Sequence, residues 1–187
     1  GAILAVVFTM LMIVAAEYFG LAKEIFDAFK ETYDIAFRDA LASVPDFLTE
    51  AEIRSYLHTE QMGQNLVCFD DTDSTNIQAK LLAEKGVPHG TLVCSDQQTK
   101  GRGRRGRAWD SPPGEAIYMS LLLRPGIRPE HASMLTLVMG MAVADAINEL
   151  MDDSLAGIKW PNDVVLKGKK VSGTLTEMSA EMDCIHY

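Results

Sequence analysis

The residues best suited to chemistry lie in one glycine- and arginine-rich segment, Gln97-Gln98-Thr99-Lys100-Gly101-Arg102-Gly103-Arg104-Arg105-Gly106-Arg107-Ala108-Trp109. Three glycines let the backbone bend and approach a ligand closely. Arginine offers a planar fork of donors that keeps its charge and suits phosphate, and the trailing Trp109 adds a flat face on which a base can stack. The bland alternative is a solvated basic loop. A third reading is an Arg/Gly nucleic-acid tail, but such tails are usually terminal, repeated and set in basic proteins. This one is single and internal, and it inverts the sign of a chain whose net charge is −9. No Gly-x-x-x-x-Gly-Lys-Ser/Thr occurs. Gly101-Arg102-Gly103 with Gly106 matches a dinucleotide fingerprint only formally, because Trp109-Asp110-Ser111-Pro112-Pro113-Gly114 follows as a turn where a helix would be needed.

Two other segments carry reactive side chains. Asp73-Ser74-Thr75-Asn76 precedes a helical pattern, so Ser74 or Asp73 is expected to accept helix N–H groups as an N-cap. The same helix start can present hydroxyls and N–H donors to a small polar ligand. Lys159-Trp160-Pro161-Asn162-Asp163 leads through a hairpin to Lys170-Val171-Ser172-Gly173-Thr174-Leu175-Thr176-Glu177. Taken singly, these lysines read as turn or edge-strand residues. Taken with the glycine loop, they bring cations and an acid pair to where a nucleoside triphosphate and Mg²⁺ could meet.

These segments must be held by a folded frame, and the composition supports one. With 187 residues, 48% of them hydrophobic and 23% charged, the chain has the makings of a globular core. Cys68, Cys94 and Cys184 form no Cys-x-x-Cys pair and are odd in number, which argues against a disulfide framework or a cysteine zinc site and for a reducing compartment. From residue 65 the pattern alternates: strand Leu66–Phe69, helix Asn76–Lys85 closed by Gly86, strand Thr91–Ser95, the glycine loop to 114, and strand Ala116–Leu123. A helix of about 20 residues follows Pro129. After it come a strand around Ile158-Lys159-Trp160 and a hairpin, Val164–Leu166, turn Lys167-Gly168-Lys169, then Val171–Met178. That hairpin makes some of the pairing antiparallel. Thr49-Glu50-Ala51-Glu52 has the form of a capping box and should open a short helix to Leu57. The class expected is α+β: a mixed, largely antiparallel sheet flanked by helices.

The chain divides near residue 47. Residues 1–47 form a hydrophobic and amphipathic helical segment of unassigned role. Its stretch 2–22 carries one charge, Glu17, and suits either a membrane span or a packed helix of an upstream unit. Residues 21–42 read as an amphipathic helix. Residues 48–187 form the second unit. The chain starts on Gly, and Cys184–Tyr187 reads as a strand with no turn after it, so both ends read as cut. An unpaired strand edge there predicts self-association, a homodimer being the simplest form.

From Leu66 onward the chain resembles the biotin protein ligases, which adenylate biotin and pass it to a lysine of a biotin carrier domain. The resemblance rests on Ser-Thr-Asn, on Gln-Gln-x-x-Gly-Arg-Gly-Arg-Arg-Gly-Arg-x-Trp-x-Ser-Pro, on Lys-Trp-Pro-Asn-Asp and on Lys-x-x-Gly-x-x-x-Glu, all in order. It implies a fold related to the class II aminoacyl-tRNA synthetases, with biotin, ATP and Mg²⁺ as ligands and a biotin carboxyl carrier protein domain as partner. By the same resemblance, biotin would be held by Ser74, Thr75, Asn76 and Gln98 together with Arg102, Gly103, Arg104, Lys170 and Gly173. The nucleotide would meet Arg104, Arg105, Trp109, Lys159, Asn162 and Asp163, with Asp163 beside Mg²⁺. Lys170 and Arg104 would carry the chemistry. The family's next motif, a Gly-x-Gly-x-Asn strand and loop, and its small C-terminal β domain are not in the sequence, so the catalytic domain reads as partial. Residues 1–60 hold ten acids against Lys23, Lys30, Arg38 and Arg54, unlike a winged-helix DNA-binding domain, and a DNA-binding regulator is disfavoured. A lipoate or octanoate ligase or transferase on the same fold is the nearest alternative, and an Arg/Gly nucleic-acid-binding module is the alternative from another class. The expected location is cytoplasmic, with residues 2–22 as the feature that would tether the chain to a membrane.

Overall fold

A computed structural model describes residues 49–151, 155–181 and 184–187. The apolar stretch 2–22, the helix expected over 21–42 and the division at 47 lie outside the described residues. Helix α1, Glu50–Tyr56, opens on the expected capping box: Glu52 N–H donates to Thr49 Oγ1 at 3.3 Å and Thr49 N–H to Glu52 Oε2 at 3.0 Å. Its Ile53 is fully buried in a small core with Leu66, Leu92 and Cys94.

Strand β1, Leu66–Thr72, runs parallel to β2, Leu92–Gln98, with helix α2, Thr75–Glu84, as the crossover. Gly86 ends that helix at φ +80, a conformation that favours glycine. Strand β3, Tyr118–Leu121, pairs antiparallel with β2 and completes a three-stranded sheet in the order β1-β2-β3. Helix α3, Ser133–Leu150, follows a 3₁₀ turn at Pro129–His131. The span Pro129–Leu150 is long and apolar enough to cross a bilayer. In this fold α3 is the spine of the main core instead, burying Val138, Met141, Val143 and Ile147 among others. Strands β4, Ala156–Lys159, β5, Asp163–Leu166, and β6, Lys169–Gly173, form an antiparallel meander against it. Lys167 at φ 49 and Gly168 at φ 76 make the two-residue turn between β5 and β6.

The α+β class with largely antiparallel pairing holds, with β1/β2 the one parallel pair among the described residues. Two expectations are corrected. Strand β6 stops at Gly173, short of residue 178: one further contact in the same register, Thr174 N–H to Asn162 O at 2.9 Å, follows it, and the chain then runs irregularly to α2, where Asn76 and Lys80 hold Glu177. The end segment is not without a neighbouring strand: β8, Cys184–Ile185, pairs antiparallel along one edge with β7, Ala180–Glu181, closed by Ser179 N–H to Tyr187 O and His186 N–H to Ser179 O at 2.9 Å each.

Candidate active site

The C-terminal ends of β1 and β2 deliver the start of α2 and Gln98 to the same place. Ser74 is the N-cap residue, in extended conformation, but its hydroxyl caps nothing. The expected cap is supplied otherwise. Asp73 Oδ1 accepts Ser74 N–H at 2.6 Å and Gln78 Nε2 at 2.9 Å. The Gln78 bond, outweighing burial and helped by Ser74 N–H, holds the Asp73 carboxyl below its ordinary range. Gln98 Oε1 takes Thr75 N–H at 2.9 Å and lies 3.2 Å from Thr75 Oγ1, while Gln98 Nε2 donates to Ser111 Oγ at 3.0 Å. One side chain therefore ties the helix start to the far end of the glycine loop.

A polar chain continues across the cleft floor. Ser120 Oγ lies 2.8 Å from Thr75 Oγ1 and hydrogen-bonds Asn76 Oδ1. Asn76 Nδ2 donates to Glu177 Oε2 at 3.1 Å, and Glu177 Oε1 receives Lys80 Nζ at 3.0 Å and Arg102 Nη2 at 3.2 Å. Burial pushes the Glu177 carboxyl up, but the bonds from Asn76 and Lys80 and the charges of Lys80 and Arg102 outweigh it and hold the group below its ordinary value. With Leu121, Leu123, Leu135 and Met139 as apolar wall, these groups enclose a cleft of about 220 Å³, of the size and mixed lining that suit a small organic ligand.

The glycine loop is a small hairpin in its own right. Arg102 bridges to Ala108, Gly103 N–H donates to Arg107 O at 2.8 Å and Trp109 N–H to Gly101 O at 2.8 Å. A Cβ on Gly101 would lie 2.2 Å from Trp109 O, so no other residue fits there without moving the backbone. At the loop's tip Arg104 Nη1 donates to Asn162 Oδ1 at 2.9 Å, and Asn162 Nδ2 to Thr174 O at 3.0 Å. Lys170 Nζ pairs with Asp163 Oδ1 at 2.6 Å and stands 4.8 Å from the centre of the Trp109 ring.

Ser74, Thr75, Asn76, Gln98, Arg102, Trp109 and Gly173 thus line the cleft, and Gly103, Arg104, Lys170, Asn162 and Asp163 flank it. The side chains of Arg105 and Lys159 are exposed and make no hydrogen bond or ion pair to another described residue. Asp163 is a single carboxylate already engaged by Lys170, and among the described residues no three His, Cys, Asp or Glu side chains converge. Mg²⁺ that arrives with a nucleoside triphosphate is held largely by phosphate oxygens and needs only one or two carboxylates; Asp163 is the carboxylate that would hold it here, and no step below is routed through the ion. The sequence reading missed Lys80, Ser111 and Ser120. Lys80 was legible as the residue one helical turn after Asn76, whereas Ser120 becomes visible only when β3 is laid beside α2.

The family model described as biotin/lipoate A/B protein ligase matches residues 66–186. The bifunctional ligase/repressor BirA of Bacillus subtilis is 47% identical over 143 residues, which are 76% of this chain and 44% of that protein. The biotin–[acetyl-CoA-carboxylase] ligase of Paracoccus denitrificans is 42% identical over 109 residues, 58% of this chain and 45% of that one. Among solved structures, the biotin protein ligase from Aquifex aeolicus in complex with biotin and ATP superposes with a TM-score of 0.52 at 38% identity, over 65% of this chain and 49% of that chain. The chain therefore spans about half the length, or slightly less, of these relatives. With a family model matched across most of the chain and the motifs that prompted it gathered around one cleft, the chain belongs to the biotin/lipoate A/B protein ligase family.

Proposed function

We propose that this chain carries the biotin-activating site of an ATP-dependent biotin–protein ligase. The observation that carries the reading is the joining of a hydroxyl and amide wall, Ser74, Thr75 and Gln98, to a cationic rim, Arg104 and Lys170, across one cleft. A ureido ring presents N–H donors and a carbonyl acceptor side by side, and an asymmetric wall of hydroxyls and an amide can satisfy both. The similar Aquifex protein is described as binding biotin and ATP, which supports the same ligand pair here.

In the first half-reaction a biotin carboxylate oxygen attacks the α-phosphorus of ATP in line. The bond from that phosphorus to the bridging oxygen breaks, and pyrophosphate leaves. Two anions must approach, so the protein's work is positioning and charge neutralisation. Lys170, fixed by Asp163 and the Trp109 ring, opposes charge on the transferring phosphate, while Trp109 offers a face for adenine. In the second half-reaction a neutral lysine amine of a biotin carboxyl carrier protein domain attacks the acyl carbon of biotinyl-5′-AMP, AMP leaves with the bonding pair, and the nitrogen gives up a proton to solvent as the amide forms. Until then the anhydride must be shielded from water, a task for the loop that Arg104 fastens to Asn162. ATP–pyrophosphate exchange tests the reading. Exchange that depends on biotin and not on lipoate or octanoate supports it; exchange driven by the linear acids, or none in the presence of steeply salt-dependent RNA binding, refutes it.

A further inference from the structure

Strand β6 carries a buried hydroxyl that the site as described does not use. Across the hairpin Val164 pairs with Ser172 and Val165 with Lys170, so Val171 is an extra residue that bulges the strand. Bulges re-aim the side chains beside them. Here Val171 joins the main core while the next residue, Ser172, lines the cleft at 2% exposure. The hydroxyls of Thr75, Ser111 and Ser120 are all engaged by protein groups. That of Ser172 has no hydrogen-bond partner among the described residues, a costly state unless a ligand supplies one.

Its surroundings indicate which end of a ligand that is. A Cβ at the adjacent Gly173 would lie 3.0 Å from Lys170 Nζ and 3.4 Å from the Trp109 ring. Ser172 thus belongs to the stretch of β6 that bears the cation. We infer that Ser172 is a substrate-contacting residue whose hydroxyl donates a hydrogen bond to the carboxylate of the acid held in the cleft. The inference rests on the proposed function. A carboxylate is acceptor-only and is drawn toward Lys170, whereas the ureido ring is served by Ser74, Thr75 and Gln98. A neutral donor orients the attacking oxygen without cancelling the charge it attacks with.

The test titrates the 187-residue chain and its Ser172→Ala variant with biotin and with biotinol, in which an alcohol replaces the carboxylate. The variant is expected to bind biotin about tenfold more weakly, the scale of one charge-assisted hydrogen bond, and biotinol unchanged, with the unfolding midpoint of the free protein held or raised. Unchanged biotin affinity, a parallel loss for biotinol, or a lower midpoint in the free variant overturns the inference while leaving the cleft a biotin site. A wild-type chain that binds neither compound overturns the reading of the cleft itself and the inference with it. Ser172→Cys, similar in size and a poor donor, repeats the comparison if the alanine variant expresses poorly.

Discussion

At the scale of single residues, the proposed function gives several groups a part in both folding and ligand binding. Gln98 is the clearest: its oxygen caps α2 through Thr75 N–H, and its nitrogen holds Ser111. Gln98→Ala should weaken biotin binding by about 1–3 kcal/mol and also lower stability by up to ~2 kcal/mol, since a cap goes with it; calorimetric titration and urea unfolding would separate the two. The proposed function has Lys170 and Arg104 differ in when their charges act. Lys170→Ala should raise the adenylation barrier by about 2–4 kcal/mol, read as slowed pyrophosphate exchange. Arg104→Gly should still form biotinyl-adenylate and release it into solution, seen as indiscriminate biotinylation of bystander lysines. Asn162→Ala should reproduce that release in part, because Asn162 is what Arg104 grips. If Arg104→Gly abolishes adenylate formation altogether, this division of labour is wrong. Glu177 carries a pH dependence. Its carboxyl titrates below its ordinary value of 4.5 in the folded chain, so it contributes stability that is present above pH 4.5 and lost as the pH falls through the lower folded value. Glu177→Gln should therefore lower Tm at pH 7 and lower it progressively less as the pH drops beneath 4.5, which thermal melts across that range would show.

At the scale of elements, the glycine loop is held as a hairpin by Gly101 O and Trp109 N–H and by Gly103 N–H and Arg107 O. Its closeness, more than its flexibility, demands glycine at 101, where an added Cβ would strike the Trp109 carbonyl and Ser111 Oγ. Gly101→Ala should cost about 1–3 kcal/mol of stability through overpacking and displace Trp109 from beneath Lys170. Quantitative unfolding together with a changed Trp109 fluorescence would register both effects; unaltered stability and fluorescence would show that the loop can shift freely.

The whole molecule depends on α3. Its Ile147, 1% exposed, packs in one cluster with Leu57 before the first sheet and with Val164 and Val171 from the second. Met119 and Leu121 join that cluster to the smaller core around Ile53. Ile147→Ala should cost about 2–5 kcal/mol. Because the two cores share residues, both sheets should still unfold in one transition, so circular dichroism and tryptophan fluorescence should give coincident, lowered midpoints.

Much of this organisation was legible in the residues alone. The capping box at Thr49, the strand and helix alternation from Leu66 and the turn at Lys167-Gly168 each depend on local chemistry, on spacing, caps and backbone freedom, which a linear pattern records. The grouping of Ser74, Thr75, Gln98, Trp109 and Gly173 was also readable, because its motifs are short and ordered. What neighbours supply across space was not. The cap of α2 comes from a glutamine on another strand, and Asn76 and Glu177, 101 positions apart, meet where the chain beyond β6 reaches α2. Cys184–Ile185 pairs with a strand too short to stand out in the sequence. Hydrogen-bond partners distant along the chain become neighbours only when the hydrophobic faces of α2 and α3 are buried against their sheets, so the tertiary structure decided which polar groups were used up within the protein and which, like the hydroxyl of Ser172 beside the cleft, were left without a partner among the described residues.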